Sequence, residues 1–344
     1  MAANLKENYA QGRDVYKAEK GDENLGGLKS LPGTWLNAKQ GETTGFEGRG
    51  WNMIALPFEN PGSPLDYRML VNQYNEVMQF QQIDGPVPNR GIDRQNDTNT
   101  DQSLFALDYQ QGIKQIAVAD SPETDVSIQG PEGGAIHHEP GFFLNVLDER
   151  TDDLDIARLA TVPHGDSVLA MGRSRTFDGA PTVPAINGLP IGATQDLSSG
   201  YLTPYVDFSG AKAFKGKEGS NFPGFDVVEP HKLLQMGIDG LNVAKTTELH
   251  LDTKFQTGGI VNIPFVVKQA NPTEMTSTFW IMTLNDTDDN GDPKMALAYA
   301  QVVMLEFFDR FDAEPGRIKW PHVSINTMVF DAPPQAMMMQ MPTT

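Results

Sequence analysis

The sequence predicts an all-β fold: a closed antiparallel β-barrel of about ten strands carrying one long irregular insertion. Apolar residues recur mainly at every second position rather than at helical spacing. Turn signals (ENPGSP, DGPVPN, PEGG, PHGD, DTDDNGDP and EPG) separate these runs at hairpin distances. The 33 Gly and 24 Pro among 344 residues supply the chain reversals that such a fold needs.

Residues 1–30 read as a polar N-terminal extension, irregular or partly helical. A single barrel domain then spans 31–330. Its first strand-like runs are TGFEGRGWNMIALPF (44–58), NEVMQFQQI (75–83), SLFALDYQQGIKQ (103–115) and AIHHEPGFFLNVL (135–147). DIARLATV (155–162) and SVLAMGRS (167–174) follow. After a gap come TELHLDTKF (247–255), STFWIMTL (277–284), MALAYAQVVMLEFFDRF (295–311) and HVSINTMVF (322–330). The gap is the insertion, 175–245, where Gly, Pro and Ser replace the alternation. Only EPHKLLQMGIDG (229–240) reads as a helix there, with Pro230 suited to the first helical position. Such an insertion is placed to act as a lid over the barrel. The tail, 331–344, is rich in Met and Pro and reads as flexible or as lying across a neighbour.

Composition narrows the function classes. The net charge of −19 speaks against nucleic-acid binding, which needs clustered Lys and Arg. Without cysteine there are no disulfides, thiolate zinc sites or cysteine nucleophiles. The first residues lack an apolar signal region, and no apolar run is long enough to cross a bilayer. The expectation is a cytoplasmic protein with a small-molecule ligand in its barrel cavity and no nucleic-acid or membrane partner; a homodimer is compatible with it.

No GxGxxG, P-loop or GxSxG motif is present. DTDDNGDPK (286–294) begins like a calcium loop, but its twelfth position is Leu297 rather than a bidentate Glu, and β runs flank it. It reads as a hairpin turn. The acidic run DERTDDLD (148–155) reads as a solvated hairpin end.

Six histidines remain: His137, His138, His164, His231, His250 and His322. Alternation over 135–144 puts His137 on one face with Glu139, Gly141 and Phe143, and puts His138 on the other. His322 opens the last strand and shares a face with Ser324, Asn326 and Met328. A lone strand histidine is more often hydrogen-bonded within the fold than a ligand.

Five short segments, in order, resemble nitrobindin-like haem-binding β-barrels, relatives of lipocalins and fatty-acid-binding proteins. They are LPGTWLNAKQGETTGF with Gly33, Thr34 and Trp35, YNEVMQFQQIDGPVP, IHHEPGFFL (136–144), DIARLATVPHGDSVLAMG (155–172) and WPHVSINTM. IHHEPGFFL is the most specific of these, similar to the family's His-x-Glu-x-Gly-aromatic strand. The extension, the insertion and the tail have no counterpart in the family. The resemblance implies haem b, held by His322 as the metal ligand on the closing strand, with Trp35, Phe143 and Met328 against the cofactor. His137 would be a distal acid/base group, oriented by Glu139 or sharing a buried charge partner such as Arg158. A five-coordinate iron of this kind reacts with nitric oxide, peroxynitrite or peroxide, giving peroxynitrite isomerase or peroxidase-like activity. The inward lining expected with it is apolar: Trp35, Phe46, Phe80, Phe105, Phe143, Trp280 and Met328.

Two other readings stay open. One is a haem-free lipocalin-like carrier or non-redox enzyme with an apolar pocket. The other is a structural metal held by His137, Glu139 and a further histidine.

Overall fold

The computed structural model describes residues 15–17, 20–59, 65–89, 91–93, 95, 98–99, 102–123, 134–147, 154–162, 165–255 and 257–332. His164, and the tail from 333 onward, lie outside the described residues.

Among the described residues fifteen strands carry the fold. The first three, β1 (Val15–Lys17), β2 (Gly33–Leu36) and β3 (Gly50–Pro57), line up along one side of the long β4 (Tyr67–Asn89). Two-residue strands β5 (Ile92–Asp93) and β6 (Thr98–Asn99) pair only with each other. Then β7 (Gln102–Ser121), β8 (Ala135–Leu147), β9 (Ile156–Ala160) and β10 (Ser167–Asp178) follow as antiparallel neighbours. β11 (Val243–Asp252) and the short β12 (Gly259–Val261) both pair with β10. The chain closes through β13 (Asn271–Thr287), β14 (Pro293–Asp309) and β15 (Arg317–Ala332). Because β15 pairs with β2 and β3 while β4 pairs with β7, the sheet has no open seam. The result is a closed ten-stranded antiparallel barrel, wide enough to leave internal space unless side chains fill it.

Side chains fill most of it. Alternation sends Phe80, Tyr109, Phe143 and Phe279 inward, where Phe143 meets the other three rings at centroid distances of 5.6, 5.0 and 5.4 Å. Such edge contacts are worth about 0.5–1.5 kcal/mol each beyond the area buried. Trp280, expected inward, points the other way: it follows Phe279 on the strand, and its indole N–H donates to Glu248 (3.0 Å), the partner of the exposed Arg175. The short 3₁₀ turn Glu23–Leu28 packs Leu25 and Leu28 into the same apolar core.

The strand alternation persists to Asp178 and resumes at Val243, so the irregular excursion is 179–242. It packs on the outside of the barrel. Trp51 of β3 is enclosed by Phe214, Phe222 and Phe225 at 5.9, 5.4 and 6.0 Å. Tyr67 meets Tyr201 at 5.2 Å and Trp320 at 4.5 Å. The longest helix within the excursion is His231–Asp239, with Pro230 as its N-cap and Leu233, Leu234 and Ile238 buried; a four-residue helix, Thr203–Val206, and two 3₁₀ turns precede it. The 286–294 segment is a hairpin turn, in which the Asp288 carboxylate accepts from the backbone N–H groups of Asn290 and Asp292. Among the described residues no helix is long and apolar enough to cross a membrane.

Candidate functional site

From His137 onward strand β8 alternates as its sequence indicates; before it the register shifts, and Ile136 lines the same cavity as His137. His137 and Glu139 turn into the barrel, whereas His138 is exposed. Across the interior, β15 turns His322 and Ser324 inward. Between them lies a cavity of about 270 Å³, lined by His137, His322, Tyr299, Ser324 and the five amides Asn52, Asn72, Gln111, Gln115 and Gln301, with aliphatic groups such as Ile54, Leu56 and Ile113. No residue of 179–242 lines it, so the excursion is an outer buttress and not a lid on this cavity.

Glu139 is wholly buried and has three partners. Arg158 Nη2 lies 2.6 Å from Oε1, the Tyr109 hydroxyl makes a short bond to the same oxygen, and His137 Nε2 is 3.2 Å from Oε2. Burial alone would raise the Glu139 pKa. The Arg158 charge, the hydrogen bonds from His137 and Tyr109 and the His137 charge outweigh it, and hold the carboxyl below the ordinary range. Arg158 is itself buried and fully engaged: it donates to Tyr109 (3.0 Å), Gln301 (2.7 Å) and Ser277 (3.3 Å).

Gly141 explains the spacing of the IHHEPGFF stretch. It sits directly opposite Tyr109 in the sheet, and a Cβ there would come within 2.3 Å of the Leu159 carbonyl and 2.6 Å of the Tyr109 ring. Glycine leaves the space in which Tyr109 reaches Glu139.

His322 differs from His137. Among the described residues it makes no hydrogen bond, and burial together with the nearby His137 pushes its pKa down to about 4. A neutral imidazole with unused ring nitrogens therefore faces the cavity, while the facing histidine is tied to a carboxylate.

A second buried carboxylate, Glu76, stands outside the site residues that the sequence motifs single out. Glu76 accepts from Gln111 (2.7 Å), Asn326 (2.8 Å) and the Tyr299 hydroxyl (2.8 Å). Desolvation leads these bonds, and the Glu76 pKa is raised. The signal was legible: in YNEVMQF, alternation puts Glu76 on one face with Tyr74, Met78 and Phe80.

The remaining candidates lie elsewhere. Phe143 belongs to the internal aromatic column, and Trp35 donates to the Leu31 carbonyl and meets Phe330 edge-on. Met328 is fully buried. None of the three lines the cavity. His250 pairs with Thr278 (3.0 Å), and His231 with the Ile186 backbone (3.1 Å). Among the described residues no three His, Asp or Glu side chains form a group that could hold a metal ion, which leaves the structural-metal arrangement of His137, Glu139 and a further histidine without its ligand set.

Compared with protein-family models and with curated proteins, the chain matches none.

Proposed function

We propose that this chain is a haem-binding barrel of the nitrobindin-like kind, with His322 as the protein donor to iron and His137 on the opposite side. The observation that carries the reading is the pairing just described: a neutral, unpartnered imidazole faces a carboxylate-linked imidazole across one cavity. The donor set suits haem, because an axial histidine must be neutral and have a free ring nitrogen. The space is tighter. At about 270 Å³ the cavity lies under the roughly 300–1,000 Å³ of sites that enclose a drug-sized ligand, so it would not enclose a whole porphyrin.

When bound, haem supplies diatomic-ligand and peroxide chemistry. The chain supplies the rest. His322 offers one ring nitrogen and no charge. His137 holds a proton at its ring, oriented by Glu139, where an oxygen-containing ligand such as nitric oxide, peroxynitrite or peroxide would meet it. Arg158 keeps Glu139 ionised, so Glu139 orients and does not compete for that proton.

A second reading is favoured by the five amides. They make the lining polar, which suits a small hydrogen-bonding ligand in a haem-free barrel better than the apolar ligand expected from the sequence.

Absorbance separates the two. Purified protein given haem is expected to show a Soret band that His322→Ala loses or shifts and His137→Ala retains. Protein that stays colourless on haem addition, or a band indifferent to His322→Ala, removes the haem reading and leaves the small-polar-ligand barrel.

A further inference from the structure

We propose that Glu76 is a proton store for the cavity, connected to it through the Tyr299 hydroxyl. This inference goes beyond haem and holds for either reading of the site, since it concerns groups within the barrel wall.

The geometry gives both protonation states of Glu76 a complete hydrogen-bond pattern. With the carboxylate ionised, Tyr299 donates to Oε2 (2.8 Å), joined by Asn326 at Oε2 and Gln111 at Oε1. Beyond Tyr299, the hydroxyl of Tyr74 lies 2.9 Å away and reaches the Ile325 carbonyl at 3.2 Å. With the carboxyl protonated, the direction reverses. The Glu76 O–H donates to the Tyr299 oxygen, Tyr299 donates to Tyr74, and Tyr74 donates to the Ile325 carbonyl. Neither state strands a buried donor or acceptor, which is what usually makes a buried acid costly.

The surroundings allow the proton to stay. Around Glu76 the titratable groups are Tyr74 on its own strand, Tyr299 on β14 and His137 on β8, whereas Gln111 from β7 and Asn326 from β15 are neutral. Among the described residues no Lys or Arg pairs with Glu76. A cationic His137 favours the carboxylate, so charge on the histidine and the proton on Glu76 oppose each other. Tyr299 and Gln111 touch Glu76 and also line the cavity. Release is a balanced transfer: the Tyr299 O–H turns from Tyr74 toward the cavity and gives its proton to a water molecule or ligand base there, the Glu76 proton moves to the Tyr299 oxygen, and the electron pair stays on the Glu76 carboxylate.

Infrared spectroscopy of the full-length protein without added haem tests this. At neutral pH the carbonyl band of a protonated carboxylic acid is expected, lost in Glu76→Gln. On mixing into D₂O the band shifts as the proton exchanges, and Tyr299→Phe is expected to slow that exchange by at least ~10-fold and to move the band by removing its hydrogen-bond partner. Absence of such a band in the unmodified protein overturns the store. A band that survives Glu76→Gln, or exchange unchanged in Tyr299→Phe, overturns it or its link to the cavity. Should Glu76→Gln fail to fold, the band position in Tyr299→Phe decides, and an unmoved band defeats the assignment.

Discussion

Arg158 and Glu139 meet 2.6 Å apart, with side chains only 1% and 0% exposed, as a charge pair sealed inside a barrel wall. A pair like this is worth little against an apolar replacement of both partners, but removing one partner leaves an unpaired buried charge. Arg158→Met is therefore expected to destabilise the protein by about 3–5 kcal/mol, read from urea unfolding. Arg158→Met combined with Glu139→Gln is expected to recover a large part of that loss. If the single variant costs no more than a surface substitution, Glu139 is not held as a carboxylate by Arg158.

The pH dependence of stability follows from His322. Its folded pKa is pushed from 6.5 down to about 4. Between those values the unfolded chain binds a proton that the folded chain does not, so stability is full above pH 6.5 and falls as pH drops toward 4. The loss is at most about 3 kcal/mol, less whatever solvent reaches the half-buried ring. Glu139, depressed below 4.5, adds a further loss only below that value. Glu76, raised above 4.5, acts in the opposite sense, its contribution fading as pH rises through its folded pKa. Glu76 contributes equally to parent and variant, so the His322→Phe urea midpoint is expected to gain on that of the parent as the pH falls from 6.5 to 4.5. Parallel curves would mean that His322 titrates normally.

The barrel was legible because half-buried strands write their own pattern: in β8 the order His137, His138, Glu139 is enough to put one histidine in the cavity and the other in solvent. Arg158 was visible as a charge sharing a face with Ile156 and Ala160. Trp280 was misplaced because both faces of β13 are buried, and alternation between Phe279 and Trp280 carries no polarity signal when both residues are aromatic. The same ambiguity hid the place of the excursion. Trp51 reads as a core residue, but nothing local says whether its core lies inside the barrel or between its outer wall and Phe225.

That outer core makes a separable prediction. Trp51 is 1% exposed among three phenylalanines of the excursion, so Trp51→Ala is expected to cost about 3–5 kcal/mol of stability. The cavity is lined by other residues, so any ligand spectrum should survive at temperatures where the variant is folded. Loss of ligand binding without loss of stability would contradict the buttress role of 179–242.

Gly141 joins fold and site most tightly, and it gives the last prediction. A methyl group at this position meets the Leu159 carbonyl at 2.3 Å and the Tyr109 ring at 2.6 Å, and a backbone oxygen inside a sheet cannot step aside as a flexible side chain does. Gly141→Ala must therefore push β8 away from β9 or swing Tyr109 off Glu139, and overpacking of this kind costs about 1–3 kcal/mol. The damage should reach His137, because Glu139 holds both His137 and the Tyr109 hydroxyl. The expected result is a lower melting temperature together with an altered near-ultraviolet tyrosine signal. Tyr109→Phe, which removes only the hydroxyl, should change that signal with a smaller loss of stability. A Gly141→Ala variant as stable as the parent, with Tyr109 undisturbed, would show that the sheet opens freely here and that the glycine is not what positions the site.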